Sequence, residues 1–129
     1  MTAWRDPVAS FVVPAYNAAG SIGRTLASLS AQTERRWEAV VVDDGSTDGT
    51  AGVAQSTGDD RVSVLGQANA GPSAARNRGF DATHASLVCF LDADDTLDPR
   101  YLERLAPLAS SSRIGAACGF RYAGPGGRT

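Results

Sequence analysis

Short, strongly apolar segments alternate with a helical pattern in this sequence, and that alternation restricts the fold. Residues 8–14 (VASFVVP) and 37–42 (WEAVVV) are brief runs rich in β-branched residues, typical of strands that are buried on both faces. Between them, Ile22, Leu26 and Leu29 recur at helical spacing and predict one apolar helix face. A strand, a helix and a second strand in this order predict a parallel sheet.

The rest of the chain continues the alternation. Residues 61–65, 86–91 and 114–120 are further strand candidates. Ser46 or Thr47 can cap a second helix that runs to about residue 57, and Pro72 suits the first turn of a third helix. The sequence therefore predicts an α/β fold, a three-layer α/β/α sandwich with a mostly parallel sheet, in a single domain over residues 1–129.

The composition removes several classes of mechanism. The 129 residues carry a net charge of −2, and all 12 basic residues are arginine. The absence of lysine excludes a P-loop, a Schiff base and a kinase-type phosphate clamp within this chain. Without a basic tail or stripe, nothing indicates a nucleic-acid partner. Cys89 and Cys118 lie in apolar segments and are expected to be small buried side chains.

No segment of the sequence resembles a signal peptide or is apolar for long enough to span a bilayer. The prediction is a soluble cytoplasmic chain, with peripheral attachment to a membrane left open for a full-length form. His84, in a predicted turn between helix and strand, is assigned no role.

Polar residues follow three of the predicted strands at the point where each strand ends. In open α/β sheets, ligands bind beyond the carboxyl ends of the strands, where loops and helix N-termini converge. We therefore expect three clusters to meet at one edge of the sheet: Pro14, Tyr16 and Asn17; Asp43 and Asp44; and Asp92, Asp94 and Asp95.

The third cluster has the chemistry of a cation site. Three carboxylates within four positions repel one another unless a cation lies between them. Asp92 and Asp94, two residues apart in an extended segment, project to the same side. Carboxylate oxygens suit Mg2+ or Mn2+, which fill their other positions with water and phosphate oxygens. The pattern predicts a metal that bridges to a diphosphate.

The other polar residues leave two interpretations open. Asp43 and Asp44 either bind a ligand or shape the turn after the strand, since Asp-Gly is a common turn dipeptide. Arg76 either lies on a solvated helix face or offers its forked donors to a phosphate or a base edge.

Four ordered blocks carry a family resemblance: SFVVPAYNAAGSIGRTLASLSAQT, WEAVVVDDGSTDGT, NAGPSAARNRGF and SLVCFLDADDTLDP. In order and spacing they resemble the donor-binding half of family 2 glycosyltransferases, which have the A-type fold with a Rossmann-like nucleotide-binding half. The resemblance covers roughly residues 8–100. It implies transfer of a sugar from a nucleoside diphosphate donor to an acceptor, with inversion at the anomeric carbon.

By this resemblance, Pro14 and Tyr16 would line the nucleoside pocket, and Tyr16 would offer its ring to the base. Asp44 would read the base. Because a carboxylate only accepts hydrogen bonds, it favours a base with an imino N–H, and UDP is the preferred nucleotide. Arg76 would lie against the base or the diphosphate.

The resemblance also implies that Asp92 and Asp94 form the D-x-D motif, which binds ribose and the metal, with Asp95 as a reserve metal ligand. Negative charge that develops on the leaving diphosphate would be stabilised by the divalent ion.

In the family, the base that deprotonates the acceptor lies well downstream of the D-x-D, and only 35 residues follow Asp94 here. We therefore expect a truncated or natively incomplete enzyme that holds donor and metal but lacks the acceptor-binding half. The acceptor, whether glycan, lipid or protein, stays open. An apolar edge left exposed by the missing half would favour homo-oligomers.

Three alternatives compete with this interpretation. VCFLDADDTL also resembles the D-x-D-x-T motif of haloacid dehalogenase-like phosphatases, but the motif lies late in the chain and the downstream lysine of that family is absent. A dinucleotide-binding domain is disfavoured because no G-x-G-x-x-G follows the first strand. A nucleotide-binding or scaffolding module without catalysis remains open.

Overall fold

The computed structural model describes residues 6–110, with side chains to residue 107. The elements in chain order are β1 (Ala9–Ala15), α1 (Ile22–Ser30), β2 (Trp37–Asp44), α2 (Thr50–Gln55), β3 (Val62–Gln67), α3 (Pro72–Asp81), β4 (Val88–Phe90) and α4 (Tyr101–Ser110). The strand candidate at residues 114–120 and Cys118 lie outside the described residues. Cys89 is buried in β4, as expected.

The four described strands form one sheet in the order β3-β2-β1-β4. All three strand pairs are parallel, with Val12 of β1 opposite both Val40 and Phe90. Each connection between parallel strands passes through a helix, as the alternating pattern predicted. The central strands β1 and β2 are buried along almost their whole length, which explains why they read as continuous apolar runs.

Side-chain alternation divides the core into two layers. On one face, Phe11, Val13 and Val41 pack in the main cluster with the apolar side of α1 and with residues of α2 and α4. On the other face, Val40 and Val42 pack with Ala75 of α3. Helices therefore cover both faces of the sheet, and the predicted three-layer α/β/α architecture is confirmed.

The second helix begins later than the sequence predicted. Instead of capping α2, Ser46 and Thr47 bond to Asn17 in the loop after β1. The side chain of Asp48 accepts from the backbone N–H and the hydroxyl of Thr50, where α2 starts. The prediction of a cap at Ser46 or Thr47 was wrong because these residues join two loops.

Two other differences concern the lengths and number of elements. β2 continues through both aspartates to Asp44, so these residues belong to the strand rather than follow it. The sequence analysis also did not identify α4, which begins at Tyr101 and has Pro107 inside it. Among the described helices, none combines the length and the apolar character needed to cross a bilayer.

Candidate functional site

Two loops at the carboxyl end of β1 and β2 are joined by reciprocal hydrogen bonds. The backbone N–H of Asn17 donates to Ser46 Oγ (2.9 Å), and the backbone N–H of Thr47 donates to Asn17 Oδ1 (2.8 Å). Asn17 has a φ of 50°, a left-handed conformation that asparagine tolerates better than most residues. These bonds fix the loop at Tyr16, whose side chain is 52% exposed at the edge of the sheet.

Asp44 is buried (3% exposed) and accepts hydrogen bonds on both carboxylate oxygens. Oδ1 accepts from Gln67 Nε2 (2.9 Å) and from the backbone N–H of Ala70 (2.8 Å). Oδ2 accepts from the backbone N–H of Gly71 (3.0 Å) and from Asn69 Nδ2 (3.3 Å). The bonds from Gln67, Ala70 and Gly71 lower the pKa of Asp44 against the opposing effect of burial. Asp44 is therefore a charged acceptor that organises the segment before α3.

Asp43 behaves differently from its neighbour. Its Oδ1 accepts the backbone N–H of Ser46 at 3.1 Å, which is the turn role that the sequence left open. The predicted contact of Asp44 with a nucleobase stays a prediction. A carboxylate has about four lone-pair positions, so a base would have to replace one of the four bonds already present.

Asp92, Asp94 and Asp95 form a cluster, named here the acidic cluster. One carboxylate oxygen from each lies within 4.8 Å of the others, with Asp92 and Asp94 exposed and Asp95 half-buried. Burial, followed by the negative charges of Asp94 and Asp92, raises the pKa of Asp95. Arg76 Nη2 lies 3.9 Å from Asp92 Oδ1, so α3 brings a cation to the cluster. The structure thus places Arg76, Asp92 and Asp94 at one site.

The backbone of the acidic cluster is held by two hydroxyl groups at the start of α1, one of them on the residue that precedes the helix. Ser21 Oγ and Thr25 Oγ1 both donate to the carbonyl oxygen of Ala93, each at 2.9 Å. Within the loop, the N–H of Asp95 donates to the carbonyl of Asp92 at 3.1 Å. Neither hydroxyl was predicted from the sequence. A signal was present, because Thr25 lies on the apolar side of the helix beside Ile22, Leu26 and Leu29.

A second polar group lies at the opposite, amino edge of the sheet. Glu38 (7% exposed) accepts from Ser10 Oγ, from the backbone N–H of His84 (2.6 Å) and from His84 Nδ1 (2.9 Å). Burial acts to raise the pKa of Glu38, but the bonds from Ser10 and His84 outweigh it and the pKa is lowered. His84, for which the sequence indicated no role, therefore pairs with a buried carboxylate away from the acidic cluster.

The sequence model of the family described as glycosyl transferase family 2 matches residues 10–129. The chain belongs to this family.

Relatives within the family support the assignment. Over 110 residues, the chain is 36% identical to the uncharacterized glycosyltransferase YibD of Escherichia coli (strain K12), a match that covers 84% of this chain and 32% of YibD. A crystal structure of S. aureus TarS 1-349 in complex with UDP-GlcNAc superposes with a TM-score of 0.75 at 30% identity, covering 80% of this chain and 31% of the TarS 1-349 chain.

A second solved structure is the mannosyltransferase PcManGT from Pyrobaculum calidifontis in complex with GDP-Man and Mn2+. Its TM-score is 0.67 at 29% identity, covering 78% of this chain and 31% of that protein. The chain thus spans about a third of the length of YibD, of the TarS 1-349 chain and of PcManGT.

Membership of glycosyl transferase family 2 confirms the resemblance read from the four sequence blocks, and the α/β fold agrees with the superposed TarS and PcManGT structures. The positions that the family resemblance implied lie at or near the carboxyl ends of strands or in α3. Pro14 lies within β1, Tyr16 follows the strand, and Asp44 ends β2. Arg76 lies in α3 beside Asp92.

Proposed function

We propose that this chain is the nucleotide-sugar-binding part of an inverting glycosyltransferase, and that it binds a UDP-sugar together with a divalent cation. The observation that carries the proposal is the acidic cluster beside Arg76 at the carboxyl edge of a parallel sheet. Two relatives support the ligand class, since TarS was solved with UDP-GlcNAc and PcManGT with GDP-Man.

The acidic cluster fits a hard divalent ion. Its three carboxylates converge within 4.8 Å, which is unfavourable for like charges without a cation. Asp92 and Asp94 are exposed and can share the ion with water and phosphate oxygens, as Mg2+ and Mn2+ prefer. Asp92 and Asp94 would hold the ion, with Asp95 in reserve. The Mn2+ of the PcManGT complex supports manganese or magnesium. When bound, the ion supplies Lewis-acid stabilisation of the leaving diphosphate.

The chain's own residues would bind and orient the donor. The exposed ring of Tyr16 offers a surface on which a base can stack, next to Pro14. Arg76, 3.9 Å from Asp92, presents guanidinium donors to the diphosphate. Asp44 would accept the imino N–H of uracil by exchanging one of its present hydrogen bonds.

Acceptor chemistry belongs to other residues in this proposal. Deprotonation of the acceptor hydroxyl requires a carboxylate, which we assign to a part of the relatives outside the match, since the match covers 32% of YibD and 31% of the TarS 1-349 chain. Glycan, lipid and protein acceptors are all compatible with the donor site. The donor site by itself would bind a nucleotide sugar and not transfer it, which is also the behaviour of a nucleotide-binding or scaffolding module.

Calorimetric titration of UDP in the presence of Mn2+, Mg2+ or EDTA tests the proposal. Binding should require the metal and should weaken at least tenfold, about 1.4 kcal/mol, in Asp94→Ala. Asp60→Ala is the matched control, because Asp60 is an equally charged exposed residue before β3, away from the acidic cluster. Equal binding in EDTA would contradict the metal site. Failure to bind UDP, GDP and dTDP would contradict the nucleotide site.

Two further properties belong to this proposal. Phe80 (52% exposed) and Phe90 (38% exposed) are apolar side chains on α3 and β4, and they support self-association. Sedimentation analysis showing only monomer at high concentration would count against it. A cytoplasmic location, with access to soluble nucleotide sugars, completes the proposal.

A further inference from the structure

One face of α1 and its flanking residues carries four polar side chains instead of apolar ones. They are spaced by four, three and four residues, which places them on one side of a helix. This face is named here the polar face of α1. Its members are Ser21, Thr25, Ser28 and Gln32.

The polar face of α1 bonds along the segment that carries the acidic cluster and leads into α4. Ser21 and Thr25 donate to the carbonyl of Ala93. Farther along, Ser28 Oγ accepts the N–H of Leu97 at 3.1 Å. Gln32 donates to the carbonyl of Asp98 (2.7 Å) and accepts the N–H of Leu102 (3.0 Å).

These bonds provide hydrogen-bond partners for backbone groups of the segment. Residues 91–100 form neither helix nor strand, so a backbone group such as the Ala93 carbonyl has no partner in a helix or a sheet ladder. Ala93 is 8% exposed and Thr25 is fully buried, so the hydroxyl of Thr25 replaces water as the partner of this carbonyl. Two donors on one carbonyl fix the orientation of the peptide that joins Ala93 to Asp94.

We propose that Thr25, assisted by Ser21, is a positioning residue that holds the acidic cluster in the arrangement that binds a divalent cation. The inference rests on the proposed function of that cluster. The Ala93 carbonyl belongs to the peptide that leads into Asp94, so anchoring it restricts the direction in which the Asp94 side chain leaves the backbone, and the bond from the Asp95 N–H to the Asp92 carbonyl restricts Asp92 in turn. Without the anchor, mutual repulsion would move the three carboxylates apart.

Thr25→Val tests the role because it keeps the shape of the side chain and removes the hydroxyl. Thr25→Ser restores the hydroxyl, and Ser21→Ala removes the second donor from a less buried position. Ser30→Ala is the matched control, since it deletes a hydroxyl from the exposed side of the same helix, where Ser30 bonds only to Asp59 among the described contacts.

Two measurements are made on each variant. The first is the affinity for Mn2+, measured by calorimetry without nucleotide and again with saturating UDP. The second is the hydrogen-exchange rate of the Asp95 amide, which donates to Asp92 inside the loop. Thr25→Val should weaken Mn2+ binding roughly tenfold, which is the smallest effect usually seen when a residue that supports a metal ligand is lost. It should also speed hydrogen exchange at the Asp95 amide. Ser21→Ala should do the same to a smaller extent. Thr25→Ser and Ser30→Ala should match the wild-type protein in both measurements.

The two measurements separate this inference from the proposed function. Wild-type protein that binds Mn2+ neither alone nor with UDP would refute the metal site, and the exchange rate at Asp95 would still decide whether Thr25 anchors the loop. Mn2+ binding that is equal in wild type and Thr25→Val, with unchanged exchange, would overturn the positioning role alone. An equal loss of affinity in Ser30→Ala, or none regained in Thr25→Ser, would also overturn it.

Discussion

The contact between α3 and the sheet depends on a glycine. A Cβ at Gly79 would overlap Val12 Cγ1 far inside van der Waals contact and would lie 3.1 Å from Val42 Cγ2. Both valines are fully buried in the central strands. Gly79→Ala should therefore destabilise the protein, although alanine is the better helix former.

The magnitude follows from two opposing effects. In a helix interior, alanine is favoured over glycine by about 1 kcal/mol. Against this, adding a methyl group to a filled core costs about 1–3 kcal/mol. The cost should lie near the upper end, because β-branched Val12 has little rotamer freedom and its neighbours are close-packed. The net change in the free energy of unfolding is a loss of about 2 kcal/mol.

Gly52→Ala provides a matched control in α2. A Cβ at Gly52 meets nothing within 4 Å, so this change should stabilise the protein by up to about 1 kcal/mol. Urea denaturation followed by circular dichroism measures both variants, and the two shifts in midpoint should have opposite signs. If Gly79→Ala stabilised the protein as much as Gly52→Ala, α3 would not pack on β1 and β2 as described.

Two further predictions concern the loops. Three bonds from Arg61 lower the pKa of Asp59 to about 2, against 3.8 for an ordinary aspartate. The resulting stabilisation of the folded state is about 2 kcal/mol. It is fully present above pH 4 and should disappear as the pH falls towards 2. In denaturation curves, the difference in free energy of unfolding between wild type and Asp59→Asn should therefore shrink over that range. Gly45 has a φ of 74°, and a Cβ there would lie 2.7 Å from the backbone nitrogen of Asn69. Gly45→Ala should lower the free energy of unfolding by more than about 2 kcal/mol. Gly58 has a similar φ but open space around it, so Gly58→Ala should lower it by only about 1 kcal/mol. Equal losses in urea denaturation would contradict the close approach of Gly45 to Asn69.

The strands were predictable because burial leaves a simple trace in the sequence. β1 and β2 lie between helices on both faces, so nearly all their residues are apolar, and the runs at residues 8–14 and 37–42 located them within two residues. α1 was equally clear from its apolar spacing. Where strands alternate with such helices, the parallel order follows from connection length alone.

The elements that were missed have a weaker or misleading trace. Asp98 accepts the N–H groups of Arg100 and Tyr101 at the start of α4, which is a local signal, but Pro107 within the helix argues against it when only local propensity is considered. The distant Gln32 also accepts the N–H of Leu102, a contact that the sequence does not reveal. Ser46 and Thr47 have the chemistry of helix caps, yet a partner 29 or 30 residues earlier, Asn17, takes their bonds. Local sequence predicts that such groups will bond, and only the tertiary structure determines to what.

The two adjacent aspartates show how the pleat of one strand separates their roles. Asp43 shares a face with Val41 and bonds to the turn at Ser46, whereas Asp44 shares a face with Val42 and collects the donors that precede α3. Two of those donors are backbone N–H groups, which cannot leave without moving the start of the helix. Gln67 is a neutral side chain on β3 and can rotate away. An imino N–H that replaced it would leave the number of bonds to Asp44 unchanged, so base recognition at this buried carboxylate need not leave a charge unsatisfied.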